Sequence, residues 1–322
     1  MAPAYPTIVF VGVHREALAP LRHLVRSGAP LLGLVTLVPE ARDGVSGAVD
    51  LEPEVRAAGV PVLRVRKVND PECVAWIRDR RPDLLLVIGW TQLVREELLA
   101  VPRIACLGFH ASLLPRYRGR APINWALIHG ESETGNTMIV LEPGADEGDI
   151  VAQRRIGITD DDDCETLYDK VSATEVDMLA DILPRLRAGH VPRRRQDTTQ
   201  ATVMPRRRPE DGWIDWRLSA RRVFDWVRAL THPYPGAFCR LGERRLWVWK
   251  AGLDGALAAG ATAAPGTVTR DATGTPLVAT GDGWLRVLRV QREGEPEVSG
   301  AEAAATFLAA GTVLAGRPGE GS

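Results

Sequence analysis

Between Gly108 and Gln153 the chain is denser in chemistry-bearing residues than anywhere else along its 322 positions. His110 ends the apolar run RIACLGFH, and two carboxylates, Asp146 and Asp149, stand in the glycine-containing stretch PGADEGDIV. An imidazole can give or take a proton near neutral pH, and a carboxylate beside it strengthens its hold on that proton and fixes its tautomer. Taken alone each residue has a blander reading: a histidine after a strand is usually structural, and an aspartate among glycines is usually a turn former. His129 and His232 have no such company and read as structural.

The elements that must position these residues follow from periodicity. TIVFVGV is a short β-branched run, and HREALAPLRHLVRSG after it carries leucines at helical spacing with a stop at Gly28. The alternation continues: LLGLVTLV as strand, EPEVRAAG as helix, VPVLRV as strand, PECVAWIRDRRP as helix and DLLLVIGW as strand. Such alternation predicts a parallel sheet covered on both faces, with ligands at the carboxyl ends of its strands, here just after VIGW and just after RIACLGF. The run ITDDDDCETLYDKVSATEVDMLADILPRLRAG reads as an amphipathic helix with Leu167, Val171, Met178, Leu179 and Ile182 toward one face, closing the first domain.

Past Gly189 the chain turns polar and basic, and the arginine triplets Arg193 to Arg195 and Arg206 to Arg208 read as solvated connector. WIDWRLSARRVFDWVRALTH then reads as a helix, and short glycine-punctuated segments as a small antiparallel barrel, with AGLDGALAAGATAAPG as a loop. The expected class is α/β: a Rossmann-like parallel sheet over residues 1–190, a connector over 191–212 and an OB-like β-barrel over 213–322.

Bulk composition agrees with two globular domains, since 45% of residues are hydrophobic, 25% are charged and the formal net charge is -1. That balance makes no demand for nucleic acid. Cys73, Cys106, Cys164 and Cys239 are scattered without metal-ligand spacing and read as reduced core thiols, with no metal expected. With no leader-like start and no run long enough to span a bilayer, the protein is expected in the cytoplasm, away from membranes.

The run HASLLPRYRGRAPINWALIHGESETG, together with DLLLVIGW, HPYPGAF, VWKA and PGTV…GDGWLRV, closely resembles the folate-dependent formyltransferases. It is most similar to the branch that formylates amino sugars such as UDP-4-amino-4-deoxy-L-arabinose; the family also includes methionyl-tRNA formyltransferase. The resemblance implies an active centre of His110 and Asp146, with Asp149 ranked second. The family's asparagine falls on Gly108, which cannot supply its amide donor to a developing oxyanion. Asn124 is not assumed to replace it.

The same resemblance implies 10-formyltetrahydrofolate as co-substrate, beside Ile88, Gly89 and Trp90, with Gly144, Ala145 and Glu147 in a loop closing over it. Ser112, Arg118 and Arg120 would face the acceptor, the two arginines being suited to a phosphate. The expected acceptor is the amine of a small substrate, an amino sugar or a nucleotide-linked one. Transfer to tRNA is the alternative held less favourable, because acids and bases nearly balance from Pro209 onward and VPEARDGVSGAVDLEPE is acidic. Gly108 keeps two further alternatives open, a related carbamoyl-type transferase and a non-catalytic binding protein. An oligomer is allowed, and its state is left open.

Overall fold

The computed structural model describes residues 5–186, 189–253 and 263–317, so residues 254–262 of the expected Ala/Gly-rich loop lie outside the described residues. The chain divides into two units. One comprises the residues through Pro122, Ser132–Ile158 and Thr166–Pro205; the other comprises Ile123–Glu131, Thr159–Glu165 and the chain from Arg206 onward. Most of the expected connector therefore packs with the first unit.

In the first unit, β1 (Ile8–Gly12), β2 (Leu31–Leu37), β3 (Val62–Val65), β4 (Leu84–Ile88) and β5 (Ala105–His110) form a parallel sheet in the order β3-β2-β1-β4-β5. All five residues of β1 are buried, as a strand covered on both faces requires. Ile8, Phe10, Leu84, Leu86 and Leu107 pack on one face with Leu21, Leu24, Met178, Leu179 and Ile182. Val9, Val11, Leu85, Val87 and Cys106 pack on the other with Cys73, Val74 and Ile77. Each such side chain contributes roughly 1.5–3 kcal/mol by leaving water.

The sheet departs from the all-parallel expectation at one edge. The two-residue β6 (Arg118–Gly119) leaves it, and β7 (Glu133–Val140) and β8 (Ile150–Gly157) then extend it antiparallel, in the order β5-β7-β8. The acidic loop between β7 and β8 is too short for a crossover helix, so the chain can only return as a hairpin. A second two-residue strand, β9 (Val203–Met204), pairs in parallel with β6. Helix Cys164–Leu186 covers the face of Ile8, Phe10 and Leu84 with its own Met178, Leu179 and Ile182, as its periodicity predicts.

The second unit is an antiparallel sheet of β10 (Ala237–Leu241), β11 (Arg244–Leu253), β12 (Val268–Arg270), β13 (Pro276–Ala279), β14 (Trp284–Arg292) and β15 (Glu297–Ser299). Its order is β10-β11-β14-β13-β12, with β15 on β14. Residues 311–315 bridge both edges, Ala315 exchanging backbone hydrogen bonds with Arg240 and Val313 bridging Thr267. The sheet thereby curls into the expected small barrel. Helix Ala220–Leu230 starts later than the sequence suggests. Ser219 caps it by accepting from Arg222 N, while Ile214, upstream, donates to Phe238 O in an extended conformation.

All four cysteines are buried and outside any disulfide. Burial raises the thiols of Cys73, to about 11, and Cys239, to about 12, and raises Cys106 further. No helix among the described residues is long and apolar enough to cross a membrane.

Candidate active site

His110 is the last residue of β5, where the parallel strands end, and is 7% exposed. Its Nε2 lies 2.6 Å from the carbonyl of Tyr117 and its Nδ1 lies 3.3 Å from Asp146 Oδ1. Because a carbonyl can only accept, the proton on Nε2 is directed to Tyr117 and the ring is fixed as that tautomer. Nδ1 is left toward the carboxylate.

Asp146 adopts φ +57, and its second oxygen, Oδ2, accepts from Gly119 N at 2.8 Å. The turn that carries it is pressed tightly on the sheet. A Cβ on Gly148 would fall 1.7 Å from the carbonyl of Val140, so only glycine fits there. Asp149, the competing carboxylate, faces Arg193 instead, at 4.0 Å.

Two side chains that sequence reasoning did not single out build the rest of this network. Gln196 donates from Nε2 to the carbonyls of Asp146, at 2.8 Å, and Gly148, at 2.7 Å. Its Oε1 accepts from Nε and Nη2 of Arg118 at 3.1 and 2.7 Å. Thr137 Oγ1 donates to the carbonyl of Ser112 at 2.6 Å and accepts from Gln153 Nε2 at 2.9 Å, tying the loop after β5 to β7 and β8. Gln196 lies in an aperiodic polar stretch and offers no sequence signal, whereas Thr137 looks like any β-branched strand residue.

Arg118 is 7% exposed, bound to Gln196 with Glu147 at 3.7 Å, so its guanidinium is committed inside the protein. Arg120 is exposed. Ser112 is fully buried and donates to Arg116 O at 2.7 Å, within its own loop.

Gly108 lies on β5 between Val87 of β4 and Ile139 of β7. A Cβ built there would lie 2.7 Å from Leu141 Cδ2 and 3.1 Å from its Cγ, so the space an asparagine would enter holds the Leu141 side chain. Asn124 belongs to the second unit, where its amide donates to Ala229 O.

At the end of β4, Ile88 is buried and Gly89 turns the chain at φ +59. The carbonyl of Gly89 accepts from Val13 N at 3.2 Å and His14 N at 3.1 Å. Trp90 Nε1 is buried with no hydrogen-bond partner among the described residues. In the loop between β7 and β8, Glu147 folds over Gly144 while Ala145 is exposed.

A parallel sheet ending in a histidine–carboxylate pair, joined to a curled antiparallel barrel, defines a two-domain group-transfer enzyme. Residues 31–183 match the formyl transferase family and residues 207–308 match the formyl transferase C-terminal domain, and the chain belongs to that family. It is 36% identical over 297 residues to a methionyl-tRNA formyltransferase of Geobacter metallireducens, covering 91% of this chain and 93% of the relative. It is 37% identical to the Citrifermentans bemidjiense methionyl-tRNA formyltransferase, covering 89% of each.

Among solved structures, methionyl-tRNA formyltransferase from Clostridium thermocellum shares the fold at TM-score 0.56 and 18% identity, over 78% of this chain and 95% of that one. HypX from Aquifex aeolicus, in complex with tetrahydrofolic acid, does so at TM-score 0.66 and 17% identity, over 95% of this chain and 48% of that one.

These relatives overturn two expectations, the amino-sugar acceptor and the ranking of tRNA as the less favourable one, and they favour the alternative. The charge argument failed for a physical reason. The balance of acids and bases past Pro209, like the acidic stretch before it, sums charge over whole segments, whereas a phosphate footprint needs only a local set of exposed cations.

Proposed function

We propose that the chain transfers the formyl group of 10-formyltetrahydrofolate to the α-amine of methionyl-tRNA. The observation that carries the reading is the His110–Asp146 contact at the carboxyl edge of the sheet, in a chain related over nine-tenths of its length to methionyl-tRNA formyltransferases.

Bound folate supplies a formyl carbon activated on nitrogen. The residues of this chain handle the proton. Tyr117 O holds Nε2–H, so the Nδ1 lone pair and Asp146 Oδ1 together receive the proton that the amine sheds as it attacks. Returned to the departing nitrogen, that proton leaves the pair as it began. Gly119 N and Gln196 hold Asp146 still while its charge is shared, a preorganised arrangement that costs no rearrangement during the reaction.

The wall formed by Ile88, Gly89 and Trp90 fits a flat heterocycle, because the unpartnered Trp90 indole N–H matches a ring acceptor. For the polynucleotide, the exposed Arg193, Arg194 and Arg195 of the same unit offer the local positive charge that phosphate binding needs.

The test is a formylation assay with 10-formyltetrahydrofolate and methionyl-tRNA, the product being read by mass spectrometry of the released amino acid. Formylmethionine is expected, and free methionine should be a poor substrate. If methionyl-tRNA is left unmodified while another amine is formylated under the same conditions, the acceptor assignment fails.

A further inference from the structure

Two carboxyls that the chemistry above does not use lie near the Gly89 turn: Glu16, partly buried, against the turn itself, and Glu175, buried, on the helix that holds the Glu16 backbone. A Cβ on Gly89 would lie 2.8 Å from His14 Cβ, 3.1 Å from Glu16 Cγ and 3.2 Å from Glu16 Oε1, so the Glu16 side chain lies flat against this turn. Ser172 on helix Cys164–Leu186 donates to the carbonyl of Glu16 at 3.2 Å. One turn further on, Glu175 is 1% exposed. Asn136 of β7, fully buried, donates from Nδ2 to Val171 O at 3.3 Å and Thr174 Oγ1 at 3.2 Å. Glu175 Oε2 and Asn136 Oδ1 are both left without a hydrogen-bond partner among the described residues.

An ionised Glu175 beside the orphaned amide oxygen of Asn136, both enclosed, is unfavourable because each is an acceptor, and the charge of the partly buried Glu16 adds repulsion. A proton on Glu175 removes the conflict, since a neutral carboxyl supplies the donor that Asn136 Oδ1 lacks. The surroundings push the same way. Burial raises Glu16 to about 7, and burial together with the Glu16 charge raises Glu175 well above the usual range, with the Asn136 hydrogen bond opposing.

No positive group figures among those causes. The neighbouring ionisable groups are His14, 3.9 Å from Glu16 and lowered to about 4 by burial and by Arg15; Tyr168, which packs on His14 at 4.8 Å; and Arg15, which reaches Asp169 at 3.2 Å.

We propose that Glu16 and Glu175 are a proton-sharing positioning pair that holds the Gly89–Trp90 turn in place, so that ionisation of both carboxyls displaces the turn and weakens folate binding. Its folate clause rests on the reading of that turn as the folate wall. The pair itself does not, and the experiment separates the two.

Carboxyl carbon NMR of the full chain with labelled glutamate should show two resonances titrating above the ordinary glutamate range, Glu16 at about 7, with the Gly89 amide and the Trp90 indole following the later of the two midpoints. Tetrahydrofolate affinity should fall roughly tenfold as pH rises through both of these midpoints and the shared proton is lost. Glu16→Gln, permanently neutral, should keep the low-pH affinity across that range, and Glu175→Gln serves as the second variant should the first fail to fold.

Two carboxyls titrating in the ordinary range overturn the pair. A pH profile for tetrahydrofolate that is the same in wild type and Glu16→Gln overturns its coupling to the ligand. If the NMR midpoints are raised and reach Gly89 yet tetrahydrofolate binds at no pH, the pair stands and the folate wall is wrong.

Discussion

Gln196 grips Asp146 by its main chain and leaves the carboxylate to His110: Nε2 donates to Asp146 O at 2.8 Å, while Oδ1 faces the imidazole at 3.3 Å. A side chain in a left-handed turn, at φ +57, has several ways to relax, and the second bond from Gln196 to Gly148 O removes them.

Gln196→Ala should therefore lower kcat by roughly a hundredfold, the scale expected when a catalytic group moves by about an ångström, with little change in folate affinity. Gln196→Glu should be no better, because its carboxylate would confront two carbonyl oxygens. Steady-state kinetics with tetrahydrofolate binding as the control measure this; an Ala variant with wild-type kcat would mean that the turn holds itself.

His110→Ala and Asp146→Asn should each cost roughly a hundredfold to ten-thousandfold in kcat/KM, as loss of a proton-handling group does. Both should leave the thermal midpoint within a few degrees of wild type, since His110 keeps its Tyr117 contact in the second variant and the turn keeps Gln196 in both. Asp149→Asn should be nearly silent in kcat, because that carboxylate faces Arg193.

Gly108→Asn puts a side chain where Leu141 already lies, 2.7 Å from the position of the new Cβ. Overpacking of this kind costs about 1–3 kcal/mol. Leu141→Ala introduced with it should relieve that strain, and the double variant should gain rate, because an amide then reaches the space beside His110. Thermal unfolding and kcat of the two single variants and the double settle this. If Gly108→Asn alone is as stable as wild type, Leu141 yields freely and the glycine owes its place to something else.

The second unit offers a test independent of catalysis. Arg228 and Asp225 are both buried, in contact at 2.7 Å, and the guanidinium also donates to the carbonyls of Thr159 and Asp162. Removing Asp225 leaves the buried Arg228 charge uncompensated, whereas removing Arg228 leaves Asp225 its Arg221 partner at 2.9 Å. Asp225→Asn should thus destabilise by about 3–5 kcal/mol, and Arg228→Leu by less. Denaturant unfolding would read it.

The meeting of His110 and Asp146 was legible because a long motif fixed their spacing, and β1 and β4 because a strand buried on both faces needs an unbroken apolar run. The hairpin of β7 and β8 was not, since ETGNTMIV has neither clean alternation nor a continuous apolar run. Arg118 was misleading: beside a glycine in a basic loop it resembles a phosphate ligand, and only the fold brings Gln196 to it. Glu175 could have been found. It lies four residues after Val171 and three before Met178, on the apolar stripe of its helix, where a carboxylate has no ordinary reason to be.

Glu175 and the groups His14 and Glu16 at the end of β1 make stability depend on pH in two opposed ways. His14 is held near 4 when folded and titrates at 6.5 when unfolded, so between those values the unfolded chain carries the extra proton and stability rises with pH. Glu16 is held near 7 when folded against 4.5 unfolded, so between those values the folded chain carries the extra proton and stability falls as pH rises. Glu175, also raised, adds to the fall. In wild type the His14 and Glu16 slopes largely cancel over the window they share. Glu16→Gln should unmask the rise and His14→Gln should steepen the fall, each relative to wild type. Calorimetric midpoints across that window measure both differences, and parallel curves for all three proteins would mean that neither residue changes its proton affinity on folding.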